Sequence, residues 1–166
     1  MKEKVLFCCQ GEQCSESCCG AFSGFSDRLF SVEGREFKDI ILTPKDFNRL
    51  HESIYNKYIF IDKDGIKKIK TDEQGVCSAY RSGKCLMNDF KPTICKCFPL
   101  YLDAFIGLCA FKDCPSVKKD YTVENYSNEL QYLLDMYEFW VSYYRNLIDK
   151  HRRGAVSYTH LTLPTI

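Results

Sequence analysis

The chain has 166 residues, eleven of them cysteine, and a formal net charge of +1. That length suffices for one domain with a real core, and the near-neutral charge, with basic residues scattered apart from Lys67-Lys68-Lys70, gives no reason to expect a nucleic-acid partner. The longest apolar run, FPLYLDAFIGLCAF at residues 98–111, is interrupted by Asp103 and too short to cross a bilayer, so no membrane partner is expected either.

In chain order, the first feature is a cysteine block, FCCQGEQCSESCCG at residues 7–20. The residues ahead of it carry charge but no apolar segment of the length a secretory signal needs, so a cytoplasmic location with reduced thiols is expected. The cysteine count is also odd, which a complete disulfide framework would not leave. Metal ligation is therefore the expected role: thiolates on short tethers hold zinc, or iron with sulfide, against hard-ligand competitors. Gly11 and Gly20 give this block the backbone freedom to wrap around an ion. Its spacing says metal without saying which metal.

A Gly/Ser/Phe-rich stretch follows and reads as loop or irregular strand. Thr43-Pro44-Lys45-Asp46 starts a helix, with Thr as N-cap, Pro at the first helical position and an acid in the first turn, running to about Tyr55. In YIFIDKDGIKKIK, Asp64-Gly65 separates two alternating segments, which predicts a hairpin; the lysines 67, 68 and 70 then read as its solvated face. The second cysteine block spans residues 77–114 and includes two buried strands expected around Asp103-Ala104, with a helical segment as the alternative.

Residues 122–150 predict one long amphipathic helix. Tyr126, Leu130, Leu133, Tyr137, Trp140, Tyr144 and Leu147 recur at steps of four and three, widened by Leu134, Val141 and Ile148. This stripe is expected to cover the cysteine-bearing core, and any surplus could pair with a protein partner or a second copy, since the spacing permits a heptad seam. Residues 156–166, VSYTHLTLPTI, with Ala155 beside them, resemble the translation of a sequencing adaptor and are set apart from the fold. His160 falls there, while His51 and His151 sit in polar helical contexts and are expected at the surface.

In GVCSAYRSGKCLMNDFKPTICKCFPLY, residues 75–101, Cys77, Cys85, Cys95 and Cys97 surround a Gly-Lys turn and a Lys91-Pro92 step; proline fixes the backbone just before Cys95. The spacing from Cys85 to Pro99, behind an upstream block ending in Cys18-Cys19, resembles the YkgJ-like CxxCxxCC family, whose cysteines are regarded as a zinc- or iron-chelating site. Asn88, Lys91 and Lys96 stand where that family has Tyr, Arg and Arg, which keeps the charge but loses the planar fork of arginine. The first block, with Phe7, Cys9, Gly11, Cys14, Glu16, Cys18 and Cys19, is nearer to flagellin lysine N-methylases, and Cys114-Pro115 resembles the Cys-Pro that closes the set in both groups.

The resemblance implies Cys9, Cys14, Cys18, Cys19, Cys77, Cys85, Cys95 and Cys114 as ligands, for one metal site or two. Cys8, Cys97 and Cys109 fall outside the shared pattern and read as plain buried thiols. The expected architecture is α+β: a small irregular cysteine-rich metal-binding domain with short hairpins at residues 1–120, a covering amphipathic helix at 121–154, and the tail at 155–166. The expected function is a cytosolic cysteine-cluster protein binding zinc or an iron–sulfur centre. The alternatives are a small lysine N-methylase-like enzyme using S-adenosylmethionine, although the chain has no G-x-G-x-x-G loop, and a structural zinc module that presents its helix to a partner. With so much loop, metal binding is expected to supply part of the folding free energy.

Overall fold

The computed structural model describes residues 5–9, 19, 39–63, 65–103, 105–112 and 114–159, the last six for their backbone alone. Within them the chain is a mixture of small antiparallel sheets, two short helices and one long C-terminal helix, arranged around two separate hydrophobic clusters.

The first cluster is built by a three-stranded sheet and one helix. β1 (Ile40–Ile41), β2 (Ile59–Ile61) and β3 (Lys67–Ile69) lie in the order β1-β3-β2, with Ile40 and Ile59 both opposite Ile69. The hairpin between β2 and β3 turns where expected: Asp62 closes the loop by accepting from the amides of Gly65 and Ile66, and Gly65 takes a φ of 80°. β1, which ends the stretch that reads as loop or irregular strand, adds to the far edge.

The lysines of β3 differ from expectation. Lys68 bonds to Asp39 at 2.7 Å and to Asp62 at 3.1 Å, and Lys67 sits over the Phe47 ring, so only Lys70 of the three is an exposed residue. A carboxylate on each flanking strand turns what reads as a solvated face into a charge-paired one.

α1 (Pro44–His51) starts with the expected capping box: the Asp46 amide donates to Thr43 Oγ1, and the Thr43 amide donates to Asp46 Oδ2. It stops one turn short of Tyr55. Ser53 Oγ donates to the Leu50 carbonyl at 2.8 Å and accepts from the Tyr55 amide at 3.1 Å, giving the backbone a local alternative to the next helical turn. Leu50, wholly buried, packs here with Leu42, Tyr58, Ile69, Cys77, Ala79 and Met87.

The second cluster comprises Phe7, Cys97, Leu100, Tyr126, Leu133 and Met136. It is framed by α2 (Thr93–Cys97), by the hairpin of β6 (Leu100–Asp103) and β7 (Gly107–Ala110), and by α3 (Ser127–Thr159). That hairpin turns around Asp103 as expected, its carboxylate accepting from the amides of Phe105 and Ile106; its strands, expected to be buried, are mostly half-buried or exposed, β7 having no buried residue. The N-terminal segment is tied in by the Phe7 amide donating to the Asn125 carbonyl and by Asn125 Nδ2 donating to the Val5 carbonyl, both at 2.7 Å.

The expected long helix is a short 3₁₀ turn, Val123–Tyr126, followed by α3, which continues to Thr159 and so into the residues set apart as a tail. Thr122 starts this segment by donating from both its amide and its hydroxyl to Asn125 Oδ1. The apolar stripe divides. Its first half packs against α2 and β6 on the second cluster, with Met136 in the buried seam, whereas Leu134, Tyr137, Val141, Tyr144 and Ile148 are exposed. The stripe covers the second cluster, which includes Cys97 and has Cys114 packed beside it, and does so for about half the helix; the thiols around Cys77 belong to the first cluster. Among the described residues no helix is long and apolar enough to cross a membrane.

Candidate metal centre

Three tight backbone devices aim three of the second-block cysteines. Cys77 follows β3 through a turn in which the Asp72 carboxylate accepts from the amides of Gln74 and Val76, and Gly75 adopts a φ of 80°. The Cys77 amide donates to the Cys19 carbonyl at 3.0 Å, joining the two cysteine blocks directly. Cys85 ends a hairpin of β4 (Tyr80–Arg81) and β5 (Lys84–Cys85), in which Ser82 and Gly83 both take positive φ, the form that suits a two-residue turn between twisted strands. Cys95 stands in the middle of α2, whose backbone starts from Pro92.

These devices converge. Cys19 and Cys85 pack against the cluster that contains Cys77. Burial, reinforced by Cys19 and Cys85 nearby, pushes the Cys77 thiol up to about 11. Burial likewise holds the Cys95 thiol well above the usual range, and Cys19, Cys77, Cys85 and Cys97 add to the effect. Four of the eight expected ligands, Cys19, Cys77, Cys85 and Cys95, thus share one neighbourhood. Among the described residues no three Cys, His, Asp or Glu side chains are drawn up around a common point as a finished coordination group; the four thiols form a neighbourhood, not a closed shell.

The other candidates go elsewhere. Cys114 packs beside the second cluster, close enough to raise the pKa of Tyr126 after burial and Tyr121 have done so. Cys9 is exposed on the N-terminal segment, and Cys14 and Cys18 lie outside the described residues. Cys8, expected as a buried thiol, is exposed: on this extended segment Phe7 turns inward, and its neighbours on either side turn out. Cys97 is buried as expected, its Sγ donating to the Ile94 carbonyl at 3.2 Å, and burial pushes its thiol to about 11. Cys109 is half-buried. His51 and His151 are both at the surface.

The donor set suits a soft cation. Thiolate is the ligating form, so a bound cation displaces the thiol proton. In number and type, four thiols are the donors of structural zinc and equally of iron–sulfur clusters.

The sequence reading missed the groups that hold α2 in place. Asp46, 2% exposed, accepts from the Thr93 amide at 3.1 Å and from Thr93 Oγ1 at 3.0 Å, besides its bonds to Thr43 and to Arg49 Nη2. Arg49 Nη2 also donates to the Lys91 carbonyl at 2.9 Å. Thr43-Pro44-Lys45-Asp46 announces only a helix start; nothing local signals that the same carboxylate caps a second helix 47 residues on. No family model matches this sequence, and neither a curated protein nor a solved structure matches it.

Proposed function

We propose that this chain is a metal-binding module whose Cys19, Cys77, Cys85 and Cys95 hold a thiolate-ligated zinc ion or iron–sulfur centre. The observation that carries the reading is that half-buried Cys19 and Cys85 pack against the cluster that holds buried Cys77, whose amide bonds to the Cys19 carbonyl, with half-buried Cys95 near all three. Cys9 and Cys114 are left out of the set, since one is exposed and the other belongs to the second cluster. Cys14 and Cys18 remain ligand candidates on the strength of the YkgJ-like resemblance. Binding would deprotonate the thiols and add folding free energy to the first cluster.

The test is anaerobic purification followed by elemental analysis, acid-labile sulfide assay and visible absorption. Zinc without colour identifies the first form, and iron with sulfide and visible bands the second. A colourless chain that takes up neither ends the reading.

A second, compatible reading concerns α3. Tyr137, Val141 and Ile148 are exposed along one stripe and line a shallow groove together with Arg145, Asp149 and Arg152. Charges of both signs beside an apolar stripe suit an antiparallel copy of the same helix, which would set Arg145 against Asp149. Sedimentation of the metal-loaded chain tests this: the Val141→Glu, Ile148→Glu variant should sediment as a monomer and the parent as a dimer, and a monomeric parent ends this second reading.

A further inference from the structure

α1 is a helix of ordinary length whose polar end does an unusual job. Asp46 is almost fully buried, yet every contact of its carboxylate is with a donor: the amide and hydroxyl of Thr43, the amide and hydroxyl of Thr93, and the guanidinium of Arg49. Burying a carboxylate is unfavourable unless it is paired and hydrogen-bonded, and here both conditions are met. The bonds to Thr43 cap α1 itself. Those to Thr93 reach 47 residues along the chain to the first residue of α2, two positions before Cys95.

Arg49 completes the grip from the next turn of the same helix. Its guanidinium bonds to Asp46 at 3.1 Å and to the Lys91 carbonyl at 2.9 Å, with a longer 3.5 Å contact to the Asp89 carbonyl. The backbone on both sides of Pro92 is therefore held by two side chains of α1. α2 is only five residues long and has no side-chain cap of its own, so its start is fixed by this outside hold, while its other face packs against α3.

We propose that Asp46 and Arg49 are positioning residues for the thiol site, fixing the start of α2 so that Cys95 meets Cys19, Cys77 and Cys85. The inference rests on the metal-binding reading above. Asp46 does not touch the metal; it acts through Thr93 and the α2 backbone, as outer groups around a metal site orient its ligands.

The experiment loads the full chain with cobalt(II), which reports thiolate ligation by its sulfur-to-metal charge-transfer band and its visible d–d bands. Competition with a chelator then gives the affinity. Thr93→Val removes the hydroxyl bond to Asp46 while leaving the fold's apolar packing in place. It should weaken cobalt binding about 10-fold and alter the visible spectrum, within the ~10–100-fold range of outer-group substitutions. Thr93→Ser should restore both, and Asp46→Asn, which sets an amide against donors, should weaken binding further. Leu133→Ala in the second cluster is the control: it should lower the melting temperature and leave cobalt affinity and spectrum unchanged.

If the parent chain takes up no cobalt, the metal-binding reading itself falls. If the parent binds through thiolates and Thr93→Val matches it in affinity and spectrum, the positioning role of Asp46 falls and the metal reading stands. Should Leu133→Ala weaken binding as much as Thr93→Val, the effect is one of general stability, and the positioning role falls in that case too.

Discussion

The two halves of this molecule are held together by different physics, and α2 is the boundary between them. On one side lie the three-stranded sheet, α1 and the converging thiols, where a buried carboxylate and tight turns fix the backbone. On the other lie Phe7, Leu100, Tyr126, Leu133 and Met136, an apolar and aromatic cluster under α3. Cys95 and Cys97 sit two residues apart on one helix, so their side chains leave it about 200° apart. Cys95 accordingly neighbours the other thiols, and Cys97 joins the aromatic cluster. The helix thus sets the expected ligand Cys95 and the expected plain thiol Cys97 in different regions.

The sharpest way to break this comparison is to alter the two cysteines one at a time. Cys95→Ser should abolish stoichiometric metal binding, whereas Cys97→Ala should keep full metal content and cost about 1–2 kcal/mol of stability through lost packing. Elemental analysis and denaturant unfolding measure the two effects. Equal loss of metal in both variants would erase the proposed boundary.

Removing the metal with a chelator should act on one region more than the other. Amides of β1, β3 and the Asp72–Cys77 turn should lose hydrogen-exchange protection, while those of α3 around Leu133 and Met136 stay protected. Uniform loss across the chain would show a single cooperative unit instead.

Smaller effects follow from the polar devices of the first region. Thr43→Ala removes one side of the capping box and a bond to Asp46, and should cost about 1 kcal/mol in thermal or denaturant unfolding. The Lys68 group offers a pH test. Burial opposes its charge, but the hydrogen bonds and charges of Asp39 and Asp62 outweigh that and raise its pKa above 10.5. A raised lysine contributes stability that is complete below the unfolded value and lost as pH rises through the folded one. The stability difference between the parent and Lys68→Met should therefore be flat from neutral pH to about pH 10 and shrink above it. A difference that persists unchanged well above pH 10, or that is absent at neutral pH, would contradict the assignment.

How much of this was legible in the sequence depends on how local each feature is. The start of α1, the turn at Gly65 and the hairpin around Asp103 were all written in a few consecutive residues, and each forms where the pattern places it. The end of α1 was missed because a single hydroxyl, Ser53 Oγ, redirects the backbone. β1 was left open between loop and irregular strand because two residues become a strand only when β3, from the other side of α1, pairs with them. The stripe of α3 was legible as a pattern, but periodicity gives a face without saying how much of that face finds a partner. The cysteine types were legible too, as a candidate pool. Cys19, Cys77, Cys85 and Cys114 are sorted by the segments that carry them, and Cys95 is parted from Cys97 by which way α2 faces. That in turn depends on Asp46, whose second role appears only when Thr93 arrives beside it.

The most direct test of the central claim is X-ray absorption at the metal edge of the loaded chain, compared between the parent and the Cys9→Ser, Cys114→Ser double variant. The account predicts sulfur neighbours at about 2.3 Å filling a four-coordinate shell, identical in the two proteins. A shell dominated by nitrogen or oxygen, or one that loses sulfur in the double variant, would contradict it.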